Sequence, residues 1–410
     1  MLTRRSFLGH SAIAPFALRS MLRAEPEASK PQVSARAVAI HKRTLIFDGH
    51  VHALDREYYH GGNFGEQSTE GQWDLVRAAE GGEGAFFLSI FVPEEYYPSH
   101  FETKQAIRRI DHALQQIALN RDKVELALTA DDILRIRAKG KMAAVLDIEG
   151  SYNLDGAVGI LHELYKRGLR SAQLSAHNWN QHYADACCSP SQSNGLSEQG
   201  RRLIREMNYL GMVINISHSS DQTMSQAIDA SDHPVIATHG GLRSVNNIPR
   251  LMPDDLLKKL ASKGGVFGFQ IGGEFASPRV AEYLTAQRKG KSFTDTASIP
   301  DRVRDKSIEQ VDALVAPGYP MAGARTPDNI TVTADEWVEV VDKAIQLVGE
   351  DHVSFGSDFD GGPPLPRGMR DVRDLPLITD AMLRRGYSEK RIDKFWGGNL
   401  LRVFRQITQK

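Results

Sequence analysis

Short runs of apolar, β-prone residues alternate along the chain with longer stretches of helical periodicity. The first run, 44–47, leads into Asp48-Gly49-His50; the second is 84–92, stopped by Pro93; the third is 142–148, followed by Glu149. The others are 169 to about 177, 211–217 before His218, 234–238 before His239, 264–271, and 352–357 before Asp358. These runs are apolar on both faces, as parallel strands covered on each side are. Between them, 155–167, 197–210, 221–230, 254–263 and 334–348 have helical spacing, and several open on a capping Ser or Asp. Strand and helix alternating about eight times predicts an α/β fold, a closed parallel (β/α)₈ barrel of the TIM type. An open doubly wound sheet is the competing architecture, but no Gly-rich phosphate-binding turn follows the first run.

Two stretches leave this pattern. Residues 274–329, between the seventh and eighth runs, are too long for a simple turn and are rich in Pro and Gly over 315–327, so they read as an inserted lid or interface segment. The tail, 374–409, has two helical patterns that either close the bottom of the barrel or pack outside it.

The chain has 410 residues, 41% hydrophobic and 25% charged, with a formal net charge of -1. That is ordinary globular composition, without the basic excess that nucleic-acid binding needs. No apolar run in the body of the chain is long enough to span a bilayer. Thr3-Arg4-Arg5-Ser6-Phe7-Leu8 and the apolar stretch 8–18 form a twin-arginine (Tat) export signal. The expectation is a signal over 1–30, a single barrel domain over 31–410, and a periplasmic or other extracytoplasmic location. The two cysteines are neighbours, Cys187 and Cys188, and read as free thiols in a polar loop, since a bridge between adjacent residues needs a strained geometry.

The chemistry lies at the ends of the runs. His50, His52, Glu149, His218 and His239 all fall where predicted strands stop, and Asp358 follows the last one. In a barrel these ends share one rim, where active sites sit. His50 and His52 are two apart, so an extended strand points both to one side. Histidine and carboxylate donors without thiolate suit Zn²⁺ or a similar ion. A carboxylate between two histidine pairs can bridge two such ions, with Asp358 carrying a proton from the activated water to the leaving amine.

With these motifs in order, the chain resembles the membrane (renal-type) dipeptidases, peptidase family M19, over nearly all of 47–404. The resemblance rests on Asp48-Gly49-His50, the stretch 72–93, Asp147-Ile148-Glu149-Gly150, Gly195-Leu196-Ser197-Glu198, Ile216-Ser217-His218, 234–239, Pro253-Asp254-Asp255 and 352–361. It implies a zinc-dependent hydrolase that cleaves the peptide bond of small dipeptides with a water bridging two ions. His50, His52 and Glu149 would hold one ion, and Glu149, His218 and His239 the other. It further implies that Asp358 handles the proton, that Arg250 binds the substrate carboxylate, and that His177 polarises the scissile carbonyl, with His182 a distant alternative for that role. Members of this family are often dimers. The departure is His52, where the family usually has aspartate; a neutral donor there raises the cluster's charge by one. Two other readings compete: a specialised amidohydrolase acting on an acylated amino acid, a lactam or a secreted peptide, and a non-catalytic protein stabilised by its metal.

Overall fold

The computed structural model describes residues 32–149, 157–175, 177–180, 182–289, 299–321 and 323–409. The twin-arginine segment lies outside the described residues, as do Gly150 and the start of the helix predicted over 155–167. One parallel sheet contains β1 (Ile46–Val51), β2 (Glu83–Phe91), β3 (Val124–Leu126), β4 (Met142–Glu149), β5 (Leu169–Gln173), β6 (Val213–Asn215), β7 (Ile236–Gly240), β8 (Val266–Phe269) and β9 (Val353–Phe355). Every predicted run overlaps one of these strands, although β1 and β7 run on past the predicted ends. β3 is the addition: it pairs with β4 as far as Leu126 opposite Ala144, and β5 takes over that edge from Leu146.

The sheet order β1-β2-β4-β5-β6-β7-β8-β9 comes back on itself at the β1–β9 seam. There the Asp358 N–H donates to His50 O and the His52 N–H to Phe359 O, both at 2.9 Å. The buried Asp48 adds a third link, accepting from the Ser357 N–H at 2.7 Å. Helices pack outside; Glu198–Leu210 starts on a Ser197 cap and Ala334–Val348 on a Thr333 capping box. Two helices, Glu102–Leu119 and Ala130–Ala138, flank β3. The inserted segment is largely helical where described, with Pro278–Gln287, Ile299–Val303 and Ile308–Val315.

Side chains fill the barrel in layers. At the bottom, Phe47, Phe87, Val145, Val213, Ile236 and Val266 form one buried cluster with Leu400, Val403, Phe404 and Ile407. The last four lie on the terminal helix Asn399–Thr408, so the tail closes the bottom of the barrel. One step up the layer turns polar. Asn215 Nδ2 donates to Asp147 Oδ2 at 3.2 Å and to Thr238 Oγ1 at 2.9 Å. Two residues further along β4 is Glu149, at the rim where β1, β6 and β7 also end.

The strands around β7 approach so closely that only hydrogen fits between them. A methyl at Gly356 would sit 1.9 Å from the Thr238 carbonyl oxygen, and one at Gly268 2.0 Å from it. Backbone must move to admit either, which typically costs about 1–3 kcal/mol. Gly356→Ala should therefore lower the unfolding free energy by about 3 kcal/mol, read as an earlier urea midpoint; an unchanged midpoint would mean that the strands are not so tightly packed.

Candidate metal centre

Strand alternation alone does not aim all the rim side chains inward. Along β1, Asp48 pairs with Phe86 and Val51 with Leu88, so β1 holds one residue more than β2 over that interval. This bulge follows Phe47, which faces the bottom layer, and turns His50 and His52 to the same interior. β7 repeats the device: Ala237 pairs with Phe267 and Gly240 with Phe269, so Thr238 and His239 both reach the inside. Bulges commonly re-aim a side chain beside a site in this way. Three more site residues follow strand ends in left-handed backbone, His177 at φ 32°, His218 at φ 61° and Asp358 at φ 63°. Such conformations cost a non-glycine residue free energy and cluster at functional sites.

Glu149 is the centre of the group, 1% exposed. Its Oε2 faces the β1 pair, 2.8 Å from His50 Nε2 and 2.9 Å from His52 Nε2. Its Oε1 faces the other pair, 3.2 Å from His218 Nε2 and 3.6 Å from His239 Nε2. Within each pair the ring nitrogens converge, at 3.3 Å for His50 and His52 and 3.1 Å for His218 and His239. Ser89 Oγ donates to Oε2 at 3.0 Å. Asp358 Oδ1 lies 3.3 Å from His52 Nε2, and its Oδ2 accepts from Gln270 Nε2 at 2.5 Å. His50, His52 and Glu149 bring two imidazole nitrogens and one carboxylate oxygen close enough to fit a divalent cation, and on the other side Glu149 and His218 do so together with His177, with His239 close by.

The two halves differ electrostatically. Burial disfavours a charged His50, but Glu149 and Asp147 outweigh it and raise its pKa to about 9. His52 is raised well above the ordinary value, since Glu149, Asp358 and Asp55 overcome the same burial. His218 and His239 are held well below it by burial, reinforced by the Arg250 cation. Glu149 resists its own burial and stays ionised, with the His50 and His52 charges beside it.

Of the remaining predicted residues, Arg250 and His177 line a cavity of about 510 Å³ together with His52, Glu149, His218, His239 and Asp358. Arg250 is 3% exposed, and its Nη2 donates to His239 O at 3.1 Å. Burial lowers its pKa to about 10, which leaves it cationic at neutral pH. His177 packs 4.2 Å from the His218 ring, with Nδ1 2.5 Å from Glu94 Oε1. Burial opposes its protonation, but the Glu94 carboxylate raises its pKa. His182 is exposed and lies outside this cavity, in a different hollow with Tyr97 and Trp179. One expectation fails: Cys187 and Cys188 are not free thiols but are joined to each other. Bridges pairing Ala184 with Leu196 and Ala186 with Ser219 pin the loop before them, and the Cys187 N–H donates to His218 O at 2.7 Å.

Sequence reasoning missed the partners behind these groups: Asp55, Glu94, Gln270 and Arg109. Only Asp147 left a signal, lying two residues before Glu149 and so on the same strand face.

A closed (β/α)₈ barrel with histidines and carboxylates gathered at the C-terminal rim has the build of a metal-dependent hydrolase. The chain belongs to the membrane dipeptidase family, peptidase family M19, whose family model matches residues 34–410. It is 29% identical over 348 residues to dipeptidase tcpJ of Claviceps purpurea, covering 82% of this chain and 69% of that protein. It is 27% identical over 406 residues to dipeptidase 3 of Rattus norvegicus, covering 93% of this chain and 69% of the relative. Among solved structures, the probable dipeptidase PvdM from Pseudomonas aeruginosa superposes with a TM-score of 0.75 at 26% identity, over 91% of this chain and 98% of its own.

Ligation needs a neutral imidazole nitrogen, so protons on the β1 pair compete with a cation while those on the β6–β7 pair are already gone. As pH rises toward the His50 value of about 9 that competition fades, and affinity at the β1 pair should climb about tenfold per pH unit for each proton displaced. Chelator competition between pH 6 and 8.5 should show cation affinity at the β1 pair rising with pH; an affinity flat across that range would contradict this account.

Proposed function

We propose that the protein is a zinc dipeptidase with two ions, one held by His50, His52 and Glu149 and the other by Glu149, His218 and His239. The observation that carries the reading is the Glu149 carboxylate, each oxygen of which faces its own pair of imidazoles. The residues fit such ions by their donor chemistry: nitrogen and carboxylate oxygen, without thiolate. Bound there, the ions would polarise the scissile carbonyl and lower the pKa of water.

The chain's own groups do the rest. Arg250, buried against the cavity wall, pairs with the C-terminal carboxylate of the dipeptide, and its Nε has no partner among the described residues. Asp358, oriented by Gln270, accepts a proton from the attacking water and passes it to the amine nitrogen as the C–N bond breaks. His177, its Nδ1 held by Glu94, donates through its other nitrogen to the carbonyl oxygen as negative charge develops there. Water thus adds across one peptide bond to release two amino acids. A cavity of about 510 Å³ suits a substrate of dipeptide size. The dipeptidase relatives support the same substrate class. The Arg4-Arg5 pattern supports export through the twin-arginine pathway, with the enzyme working outside the cytoplasm.

Removing a buried charge-assisted pair costs about 2–3 kcal/mol, so Arg250→Ala should lower kcat/KM for dipeptides roughly 30–150-fold. Dipeptide amides, which lack the carboxylate, should be poor substrates for both forms. Unchanged dipeptide turnover by Arg250→Ala would rule out the dipeptidase reading. Replacing Arg4 and Arg5 by lysine should leave the protein in the cytoplasmic fraction; continued export would remove the twin-arginine assignment.

A further inference from the structure

Of the four imidazoles around Glu149, His52 is the one whose far nitrogen reaches a carboxylate at hydrogen-bond distance. Its Nδ1–H donates to Asp55 Oδ2 at 2.8 Å. His50 Nδ1 stands 3.6 Å from Asp147, and His239 Nδ1 is 3.1 Å from the Thr238 hydroxyl. His218 Nδ1 has no hydrogen-bond partner among the described residues.

Asp55 is 1% exposed, and its second oxygen accepts from Arg109 Nη1. The Arg109 guanidinium carbon lies 4.5 Å from the Tyr58 ring centre and 4.8 Å from that of Tyr59. Asp55 and both tyrosines belong to the short helix Asp55–His60, which follows β1 directly; Arg109 comes from the long helix Glu102–Leu119. None of the four lines the substrate cavity.

A neutral imidazole carries its proton on either nitrogen, and only the Nδ1–H form leaves the Nε2 lone pair free. A carboxylate can only accept, so Asp55 selects that form. It also sets the ring plane, because Nε2 must then point to Glu149 Oε2 at 2.9 Å. Arg109 holds Asp55 in place from the opposite side. The pair is buried and cannot exchange its contacts for water, so the orientation is built into the fold.

We propose that Asp55, clamped by Arg109, is a positioning residue that fixes the tautomer and ring plane of His52 as a metal ligand. This rests on the metal reading above and concerns only the half of the centre built on β1. Partners of this kind, acting behind a ligand, typically contribute 10–100-fold to metal affinity.

The test is metal stoichiometry and chelator competition on zinc-loaded protein. Wild type should keep two ions at a chelator concentration where Asp55→Ala keeps one, with affinity at the lost position down about 10–100-fold. Asp55→Ala leaves Arg109 buried and unpaired, which threatens the fold. Asp55→Ala/Arg109→Met removes both charges and should show the same single loss while melting cooperatively. An aspartate at position 52 has no ring to orient. In a His52→Asp background, adding Asp55→Ala should therefore change the affinity by less than about twofold. Two ions held with wild-type affinity in both Asp55 variants would overturn the positioning role alone. So would an equal loss in the His52→Asp background, which would mark a general structural effect. A wild type that retains no zinc would overturn the metal reading itself, and the positioning role with it.

Discussion

The carboxylate of Glu149 is almost completely removed from water, and an ion so placed costs several kcal/mol unless its surroundings compensate it. Compensation comes from four imidazoles and one hydroxyl, contributed by β1, β2 and the ends of β6 and β7. These strands neighbour one another only because the barrel closes, and the closure runs through the same residues. The Asp358 N–H that donates to His50 O completes the seam and also presents the Asp358 side chain to His52. Stability of the barrel top and assembly of the site are therefore one problem. Below the site, the apolar plug of Phe47, Phe87, Val145 and Phe404 and the Asp147–Asn215–Thr238 layer above it fill the barrel interior.

The two sides of Glu149 are alike in composition and unlike in charge. The β6–β7 pair is deeply buried, and that burial, reinforced by the Arg250 cation, keeps both imidazoles neutral. The β1 pair is backed by carboxylates, Asp147 behind His50 and Asp55 behind His52, which favour protonation. Imidazoles on one side of Glu149 are thus ready to ligate, while those on the other must first give up protons. With histidine at position 52 the ionised Glu149 is the anionic donor that faces the β1 pair, and the Asp55–Arg109 pair behind it is neutral overall. Through Asp55 and Arg109, His52 is thereby tied to the helices Asp55–His60 and Glu102–Leu119.

The barrel strands were legible because each is buried on both faces and bounded by Gly, Pro or a charged residue. β3 was not: three residues, of which only Val124 is buried, set up no periodicity. The helices Glu102–Leu119 and Ala130–Ala138 lie in the long interval between 92 and 142, where the one intervening strand, β3, is too short to mark a strand-helix alternation. Within the site, every ligand candidate was visible as a histidine or carboxylate at the end of an apolar run. Glu94, Gln270 and Arg109 left no comparable trace. Each reaches its partner from another element, Glu94 across 83 positions to His177 and Gln270 across 88 to Asp358.

By itself the sequence determined the strand-helix alternation, the residue types at the rim and the shared side of His50 and His52. These are local properties, set by burial, by alternation along one strand and by the chemistry of the donors. The tertiary structure alone decided that His239 faces inward beside Thr238, through a bulge in β7 against β8. It also decided that His218, His177 and Asp358 turn into the cavity on left-handed backbone, and that Asp55 stands behind His52. A bulge is an extra residue counted against a neighbouring strand. A strand's own residues cannot express it until that neighbour is in place.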